Sequence, residues 1–544
     1  MPLVQRTSSP LPRSTTDGQS GPPVDQLQIP SPTQTYLSPP SASYISTSTP
    51  TKSKHKTPVP YLKILPLLLQ RCSEGLTYAI IFPYINQMIL EMGVEEKSVG
   101  VWSAIAESMM MATEAMSAPF YGPIADRYGR RPVLILLNAM WGVFGIAFGF
   151  SKTVLTIILL RAALGLLAGC GVISRTMVGE LCDKSNRIQG FAVFSPALVV
   201  GMTIAPVLGG FLAKPSGRIL PASWSLFVNY PYLLPSLMTG CGAIFAGILC
   251  MILLPETLQR SKMDNSLERH SEKSSNSGLR GLLKYEPFLN ILLLYGMNNA
   301  VMFSWEAIYP LFGFTSKSLG GLGLSTQALG LVLGFSAGLS ILMTIFVFPL
   351  LHGSLSEATC LRLCLISYPC AIIFFPILWA LSYPVSGDNL PISVWIIMSI
   401  QMILRRVGDF ATTQLDTLIL DSIPGPEHLA SANAISFSVA AIGRAVGPFI
   451  ISWFFSLSTR FPSPFSPGRH MVWIIFVILC IPSLYLANRL LSDIDHTSGK
   501  EETSNEEERY ELMSSNQNDP SEQVEARGTS IEVANDDLMR YRVV

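Results

Sequence analysis

Long apolar runs recur along the middle of the chain and alternate with short polar segments. A helix that crosses a bilayer needs about 20 mostly apolar residues. Twelve runs reach that length, at 61–90, 98–121, 132–150, 153–175, 189–212, 229–254, 287–313, 325–351, 361–382, 391–411, 430–456 and 470–491. Prolines such as Pro221, Pro384 and Pro462 fall between the runs. The pattern therefore predicts an all-α integral membrane protein with twelve transmembrane helices.

The composition supports this class. Of 544 residues, 49% are hydrophobic and only 14% are charged, whereas soluble domains contain about 25% charged residues. The Ser-, Thr- and Pro-rich segment 1–59 and the acidic segment 493–544 are too polar to offset the entropy cost of folding. We therefore predict two disordered tails. The net charge of zero sums these tails and a membrane core, so it says little about partners. We expect no nucleic-acid partner.

Basic residues indicate how the chain crosses the membrane. They concentrate in the loops after the second and fourth spans and in the long middle loop, 255–286. Because Lys and Arg favour the cytoplasmic side, both tails and the middle loop are expected there. This arrangement predicts an N-terminal six-helix bundle at 60–254, a cytoplasmic linker at 255–286 and a C-terminal six-helix bundle at 287–492.

The two halves also repeat one another weakly. Glu180 precedes Pro206 by 26 positions, and Asp421 precedes Pro448 by 27 positions, in related segments. Internal repeats around a midplane cavity are typical of secondary transporters. The chain has no GxxxxGK[ST] loop, so we do not expect ATP to drive it. Its nine cysteines form no CxxC pair, and no His or Cys cluster has ligand or catalytic spacing. We therefore expect no metal site, no cofactor and no enzyme activity.

The stretch GPIADRYGRRP, 122–132, places a dense charge cluster between the second and third spans. Gly122 and Gly129 would permit a tight turn. Asp126 is suited to the positive N-terminal end of a neighbouring helix. Three arginines complete the cluster: Arg127, Arg130 and Arg131.

This stretch resembles the signature of the major facilitator superfamily, Gly-x-Leu-(Ala)-Asp-Arg-x-Gly-Arg-(Arg/Lys), in residue types and in its place along the chain. Ile124 stands where leucine is usual. The resemblance implies a major facilitator fold of two pseudo-symmetric six-helix bundles, with this cluster as a gate that locks the cytoplasmic side. The arginines could pair with Glu180 or Asp183. The alternative is a simple positive-inside anchor, which would require neither the aspartate nor the glycines.

Two further segments resemble motifs of the same superfamily. In the fourth span, Arg161 to Gly165 matches an Arg-x-x-x-Gly pattern, and the resemblance implies a link to proton transfer. An arginine near the midplane costs about 3 kcal/mol to insert, so it needs a partner or a water-filled cavity. The fifth span resembles the antiporter signature, with these candidate residues: Gly201, Ala205, Pro206, Gly209 and Gly210.

The antiporter signature has two interpretations. Small residues let helices approach closely, and Pro206 frees a backbone carbonyl and bends the helix. The span could hold the geometry of an exchanger and limit leak, or it could simply pack tightly. Ala205 stands where the signature has glycine.

A finer resemblance is to the zinc-induced facilitator-like transporters of plants and their fungal relatives. The matching stretches include RCSEGLTYAIIFPYINQMI (71–89), NYPYLLPSL (229–237) and LLPETL (253–258). The plant members carry a Cys-Pro-x-Cys tetrapeptide near the N-terminus. This chain lacks it, which argues against a zinc-linked role.

Ionisable residues inside the predicted spans are candidate sites. Arg71 and Glu74 lie three apart on one helix face, so they could pair, or Glu74 could carry a proton. Glu107 is a candidate proton or substrate carboxylate. The remaining charges have more structural interpretations: Glu114 supporting the gate, Glu306 at the outer rim, and Arg406 paired with Asp409.

These patterns predict a proton-coupled antiporter that exports a small organic molecule, such as a secondary metabolite or toxic compound. It would work as a monomer in the lipid bilayer by rocking two halves. Alternatives are a metal-chelate or organic-anion carrier, or a non-transporting membrane sensor. The plasma membrane and the vacuolar membrane both remain candidate locations.

Overall fold

The computed structural model describes residues 57–183, 186–258, 285–384, 390–423, 429–463 and 465–490. Those residues contain twelve long helices and no β-strand. The first, α1, comprises Tyr61–Ala79 and its continuation Ile85–Glu91. The others are α2 (Glu96–Tyr128), α3 (Arg130–Phe148), α4 (Val154–Leu181), α5 (Arg187–Leu212), α6 (Leu233–Leu253), α7 (Glu286–Phe314), α8 (Thr326–Ser354), α9 (Glu357–Ser382), α10 (Ile392–Asp421), α11 (Leu429–Ser458) and α12 (Pro467–Leu490). The twelve-span prediction and the all-α fold class are confirmed.

Apolar composition distinguishes two groups among these helices. Eight described helices are long and apolar enough to cross a membrane: α3, α4, α5, α6, α8, α9, α11 and α12. The remaining four, α1, α2, α7 and α10, carry most of the candidate intramembrane charges. Large apolar side chains such as Leu159, Phe245 and Ile252 are exposed on the surface, as expected of helices that face lipid. A helix is the natural spanning element because it satisfies its own backbone hydrogen bonds.

Several helix boundaries differ from the sequence prediction. The second span continues to Tyr128, so most of the stretch 122–132 is helical rather than a loop. The tenth span extends to Asp421 instead of ending near 411. α4 is interrupted at Leu167 and Ala168, between its two helical parts. Hydropathy marks where apolar residues stop, whereas hydrogen bonding continues into polar turns; this accounts for the longer helices.

Helix pairing follows a two-fold pattern. Within the first bundle α1 packs against α5, and within the second α7 packs against α11. Between the bundles, α2 packs against α11 and α5 packs against α8. Adding six to each helix number turns the contact α1–α5 into α7–α11. Counted cyclically over twelve helices, it also turns α5–α8 into α11–α2. The described residues thus form two pseudo-symmetric six-helix bundles. The exact boundaries predicted for the tails and the linker remain predictions, since these segments fall largely outside the described residues.

The bundles meet closely at one end. We call the end that carries residues 122–132 the motif end and the opposite one the far end. At the far end, the backbone N–H of Ser316 donates to Glu96 over 2.9 Å, and Thr459 donates to the carbonyl of Lys97 over 3.4 Å. Nearby, a side chain at Gly210 would lie 3.0 Å from the Cα of Gly330. The far end is therefore closed by direct contact between the bundles.

Candidate functional site

The charged stretch begins as the end of α2 and turns sharply into α3. Gly129 makes the turn with φ +100° and ψ 142°, a conformation that is essentially restricted to glycine. A side chain there would also lie 2.9 Å from an oxygen of Glu256. Gly122 was predicted to share the turn, and this is wrong. It lies inside α2, and a Cβ there would meet nothing within 4 Å, because the helix runs on to Tyr128.

Arg130 is the centre of the ion pairs in this stretch. Its Nη2 lies 3.0 Å from Oδ1 of Asp126, near the end of α2, and its Nη1 pairs with Glu180 on α4. The predicted contact with Glu180 is thus present. Asp183 instead accepts a hydrogen bond from Thr57. Arg130 therefore connects α2, α3 and α4 at the motif end.

The two other arginines have different surroundings. The guanidinium of Arg127 lies 5.5 Å from the ring centre of Tyr128. Arg131 donates to the backbone carbonyl of Met251 at the end of α6. These contacts of the three arginine side chains all lie within the first bundle.

Glu256 is a motif-end residue that sequence reasoning missed. Its carboxylate accepts the backbone N–H groups of Arg130 and Arg131, both over 3.1 Å. It also accepts the backbone N–H groups of Thr257 and Leu258 over 3.0 Å. An anion is favourable at a helix N-terminus. The role foreseen for Asp126, a carboxylate at the start of a helix, is filled here by Glu256. In the sequence, Glu256 lies in LLPETL, three residues after the end of α6.

The antiporter-like segment of α5 contacts helices of both bundles. A side chain at Gly201 would lie 2.1 Å from the carbonyl oxygen of Cys72, and one at Gly209 would lie 2.0 Å from that of Ile80. Both glycines thus allow α1 to approach closely. Gly210 faces α8. Ala205 is buried. Pro206 lines a cavity between the bundles, called the central cavity below.

Arg71 and Glu74 form a further close ion pair of the first bundle, within α1. Arg71 Nη1 lies 2.6 Å from Glu74 Oε1. Gln70 joins it by donating to Glu74 over 3.3 Å, and Ser174 on α4 donates to Gln70 over 2.7 Å. A side chain at Gly171 would lie only 2.4 Å from Arg71. α4 therefore leaves room for this pair.

Arg161 and Glu107 lie deeper in the first bundle. Arg161 is 1% exposed and Glu107 is 8% exposed, and their opposite charges attract one another. Nε and Nη2 of Arg161 have no hydrogen-bond partner among the described residues. Arg161 also borders a small pocket with Thr77, Tyr84 and others. The predicted need for a partner is met only in part.

The second bundle contains a larger ionic cluster, formed by Arg405, Arg406 and Asp409 of α10 with Glu306 of α7. Arg405 is fully buried; its Nη2 lies 2.5 Å from Glu306 Oε1, and its Nη1 pairs with Asp409. Arg406 Nη1 lies 2.9 Å from Asp409 Oδ2. The pair predicted between Arg406 and Asp409 is present. The rim position predicted for Glu306 is wrong, because Arg405 draws this carboxylate into the interior, where its side chain is only 20% exposed.

Two further side chains complete this cluster. The hydroxyl of Tyr368 on α9 donates to Asp409 Oδ1 over 3.0 Å. Arg406 donates to the hydroxyl of Ser336 on α8 from both Nε and Nη2, over 3.2 and 3.0 Å. The ionic cluster therefore fixes α7, α8, α9 and α10 relative to one another.

A cavity of about 200 Å³ lies between the bundles, against this cluster. Its polar wall is formed by Glu306, Arg406 and Asp409. The rest is largely apolar and aromatic: Phe82, Met202, Met302, Trp305, Tyr309, Leu333 and Met402. Binding sites for small molecules are typically apolar with a few placed polar groups. The arrangement is that of a site for a small, mainly apolar molecule. Within the described residues, no group of three or more His, Cys, Asp or Glu could hold a metal ion.

Comparison with known proteins identifies the family. A sequence profile of the Major Facilitator Superfamily matches residues 67–448. The chain belongs to the major facilitator superfamily. It is 31% identical over 412 residues to the efflux pump azaK of Aspergillus niger, covering 75% of this chain and 84% of that one. It is also 26% identical over 451 residues to the Arabidopsis thaliana protein zinc induced facilitator 1, covering 78% of this chain and 91% of that protein.

Solved structures agree on the fold. A bacterial homolog of the human lysosomal transporter Spinster, in an inward-facing and unoccupied conformation, superposes with a TM-score of 0.61. The two sequences are 13% identical, and the match covers 80% of this chain and 99% of that one. As a member of the major facilitator superfamily, the protein is an integral membrane transporter for small molecules rather than an enzyme. The resemblance to the zinc-induced facilitator-like branch and its fungal relatives is confirmed.

Proposed function

We propose that this protein is a proton-coupled antiporter that exports a small organic molecule across a cellular membrane by alternating access. The observation that carries the proposal is the central cavity, which Glu306, Arg406 and Asp409 line from the second bundle, while Glu107, buried in the first bundle, interacts electrostatically with Glu306. Glu107 and Arg161 stand in the first bundle, and the ionic cluster stands in the second. A transporter that exchanges a proton for a substrate needs titratable groups beside the substrate path.

Alternating access is supported by where the bundles touch. The far end is closed by the contacts of Glu96 with Ser316 and of Lys97 with Thr459. Arg127, Arg130 and Arg131 lie at the motif end. The positive-inside rule assigns such a basic segment, and with it both termini, to the cytoplasm. This state would therefore load substrate from the cytoplasm. Export then requires the far-end contacts to part while the motif end closes.

We assign the motif-end residues to the gate. Arg130 connects Asp126 with Glu180, and Glu256 holds the start of α3. This arrangement keeps α2, α3, α4 and α6 together as one body, which rocking of whole bundles requires. The alternative of a positive-inside anchor would not need Arg130 to have two carboxylate partners.

Exchange follows from the buried charges of the two bundles. Glu107, Glu306 and Asp409 supply three negative charges, and Arg161, Arg405 and Arg406 supply three positive charges, so their formal sum is zero. A bound proton and a bound monovalent cation would each add one positive charge. Because adding both would leave two uncompensated charges in a poorly hydrated site, the two would compete. We assign Glu107 the proton, with Glu74 beside Arg71 as the second candidate.

The first experiment compares metabolites in cells and medium. One culture expresses the wild type and another expresses Asp126→Asn at equal membrane abundance. A compound enriched in the medium only with the wild type supports export. Its uptake into inside-out vesicles should then rise when the vesicle interior is acidified, and Glu107→Gln should remove this rise while Glu357→Gln, an exposed control on α9, should retain it. Transport that is indifferent to the proton gradient would contradict antiport.

A second candidate function is the carriage of an organic anion or a metal chelate. Arg161 favours it, because this buried guanidinium has N–H groups without a partner among the described residues. The charge of the transported compound decides between the two functions. An anion that fails to move with Arg161→Gln but moves normally with Glu107→Gln would favour the second one.

A further inference from the structure

One wall of the central cavity carries hydrogen-bonding atoms that have no partner among the described residues. Glu306 lines the cavity and gives only Oε1 to the two arginines, at 2.5 Å from Arg405 and 3.9 Å from Arg406. Its second oxygen, Oε2, accepts no hydrogen bond from the described residues. Asp409, in contrast, uses Oδ1 for Tyr368 and Oδ2 for both arginines. Of the two acids in the cluster, Glu306 is therefore the one with a carboxylate oxygen that is available to a ligand.

A second group without a partner lines the same cavity. Tyr309 lies one helical turn after Trp305 on α7 and is 1% exposed. Its hydroxyl makes no hydrogen bond with any described residue. A buried polar group that lacks a partner costs free energy, and a ligand that hydrogen-bonds to it recovers that cost. The hydroxyl can donate or accept a hydrogen bond.

Aromatic rings complete this wall. Trp305 and Tyr309 stack with ring centres 6.0 Å apart at an angle of 17°, and both line the cavity next to Glu306. An organic cation is attracted to the face of an aromatic ring within about 6 Å. Arg406, Asp409 and three hydroxyl side chains also line the cavity, and the remainder is apolar, with Met202, Met302 and others. Methionine adapts to irregular apolar shapes.

We infer that Trp305, Glu306 and Tyr309 form a subsite for the protonated amino group of a compact, otherwise apolar or aromatic amine. This inference rests on the proposed export function and names its substrate class. A carboxylate oxygen, a hydroxyl and aromatic rings are together the groups that recognise an alkylammonium ion. The cavity of about 200 Å³ is smaller than the roughly 300–1,000 Å³ typical of drug-sized ligands, so a compact molecule fits.

The test measures equilibrium binding to the purified full-length protein in detergent with three probes of nearly equal size. These are 2-phenylethylamine, 2-phenylethanol and phenylacetate, which differ in charge. The amine should bind about tenfold or more tightly than the other two, since a hydrogen bond to a charged group contributes about 1.5–3 kcal/mol. Equal affinities, tighter binding of phenylacetate, or binding of none of the probes would overturn the inference.

Variants locate the site. Glu306→Gln should reduce amine affinity about tenfold or more and leave the affinity for 2-phenylethanol unchanged. Glu306→Asp, which keeps the charge, should retain the preference for the amine. The matched control Glu357→Gln changes an exposed acid at the start of α9 and should bind like the wild type. An unchanged amine affinity in Glu306→Gln would overturn the assignment.

Tyr309→Phe is a second variant that does not disturb the ionic cluster. Because the hydroxyl has no partner among the described residues, its removal should leave folding intact and lower amine affinity a few-fold. The control Tyr383→Phe changes a tyrosine outside the cavity. Amine binding that depends on Glu306, without proton-coupled transport in proteoliposomes, would support the subsite and overturn antiport. Proton-coupled transport of a different compound class, with no amine preference, would overturn the subsite alone.

Discussion

Two glycines of the charged stretch should respond to the same substitution with opposite signs. Gly129 has φ +100°, and a Cβ there would lie 2.9 Å from Glu256 and 3.1 Å from the ring of Pro132. Gly122 lies in the helical α2 with nothing within 4 Å of a Cβ. We therefore predict that Gly129→Ala destabilises the protein, whereas Gly122→Ala leaves it equally stable or slightly more stable.

The magnitudes follow from the local geometry. For Gly129→Ala, the backbone strain costs about 1–3 kcal/mol, and displacing Glu256 from the N-terminus of α3 costs about 0.3–1 kcal/mol more. The sum is a loss of about 1–4 kcal/mol in the free energy of unfolding. For Gly122→Ala, helix propensity favours alanine by up to about 1 kcal/mol.

A third variant separates strain from contact. Gly93 also has positive φ, +90°, but a Cβ there would meet nothing within 4 Å, so Gly93→Ala reports strain alone. Reversible unfolding in mixed detergent micelles would give the free energy for all three variants at equal protein concentration. If Gly122→Ala were destabilised as much as Gly129→Ala, the steric argument would be refuted. If Gly93→Ala and Gly129→Ala were equal, the contact with Glu256 would add nothing.

Three further outcomes are expected. Arg130→Gln should reduce transport more than tenfold at equal membrane abundance, because it loses two carboxylate partners, whereas Arg127→Gln, which loses a contact with Tyr128, should have a mild effect in the same vesicle assay. Gly201→Val should lower the free energy of unfolding by about 2 kcal/mol or more by separating α1 from α5, and Gly338→Ala, in open space, should not; equal stability of the two would contradict the packing argument. Arg405→Met should cost about 3–5 kcal/mol, because it leaves two acids without their buried partner; a wild-type unfolding midpoint would contradict this.

The helices and their order could be predicted from the sequence because hydropathy acts locally. Each span needs only its own apolar residues, so twelve runs gave twelve helices. The contact between Arg130 and Glu180 could also be foreseen, since both lie at helix ends that the basic residues predict to be cytoplasmic and carry opposite charges. Helix ends were less predictable: α2 continues through Gly122 to Tyr128 because backbone hydrogen bonding does not stop where apolarity does.

The placement of Glu306 and Glu256 depends on how helices pack, which one sequence does not reveal. Glu306 lies eight residues before the end of α7, so its position along the chain suggested the rim. The buried Arg405, on a helix 99 positions later, determines where its carboxylate lies. Glu256 accepts two backbone N–H groups of α3, and no side-chain pattern identifies such donors in advance.

The two bundles differ in how completely their buried arginines are paired, and this difference fits different roles for the two bundles. In the second bundle, each arginine of the ionic cluster has an acid within 2.9 Å, so the cluster is neutral and built to persist through a transport cycle. In the first bundle, Arg161 keeps Nε and Nη2 without a partner among the described residues. A buried charge at the membrane midplane costs about 3 kcal/mol unless it is compensated. The proposed roles match this difference: Glu107, near the incompletely paired Arg161, is the proposed proton carrier, and the ionic cluster provides the fixed wall of the proposed substrate site.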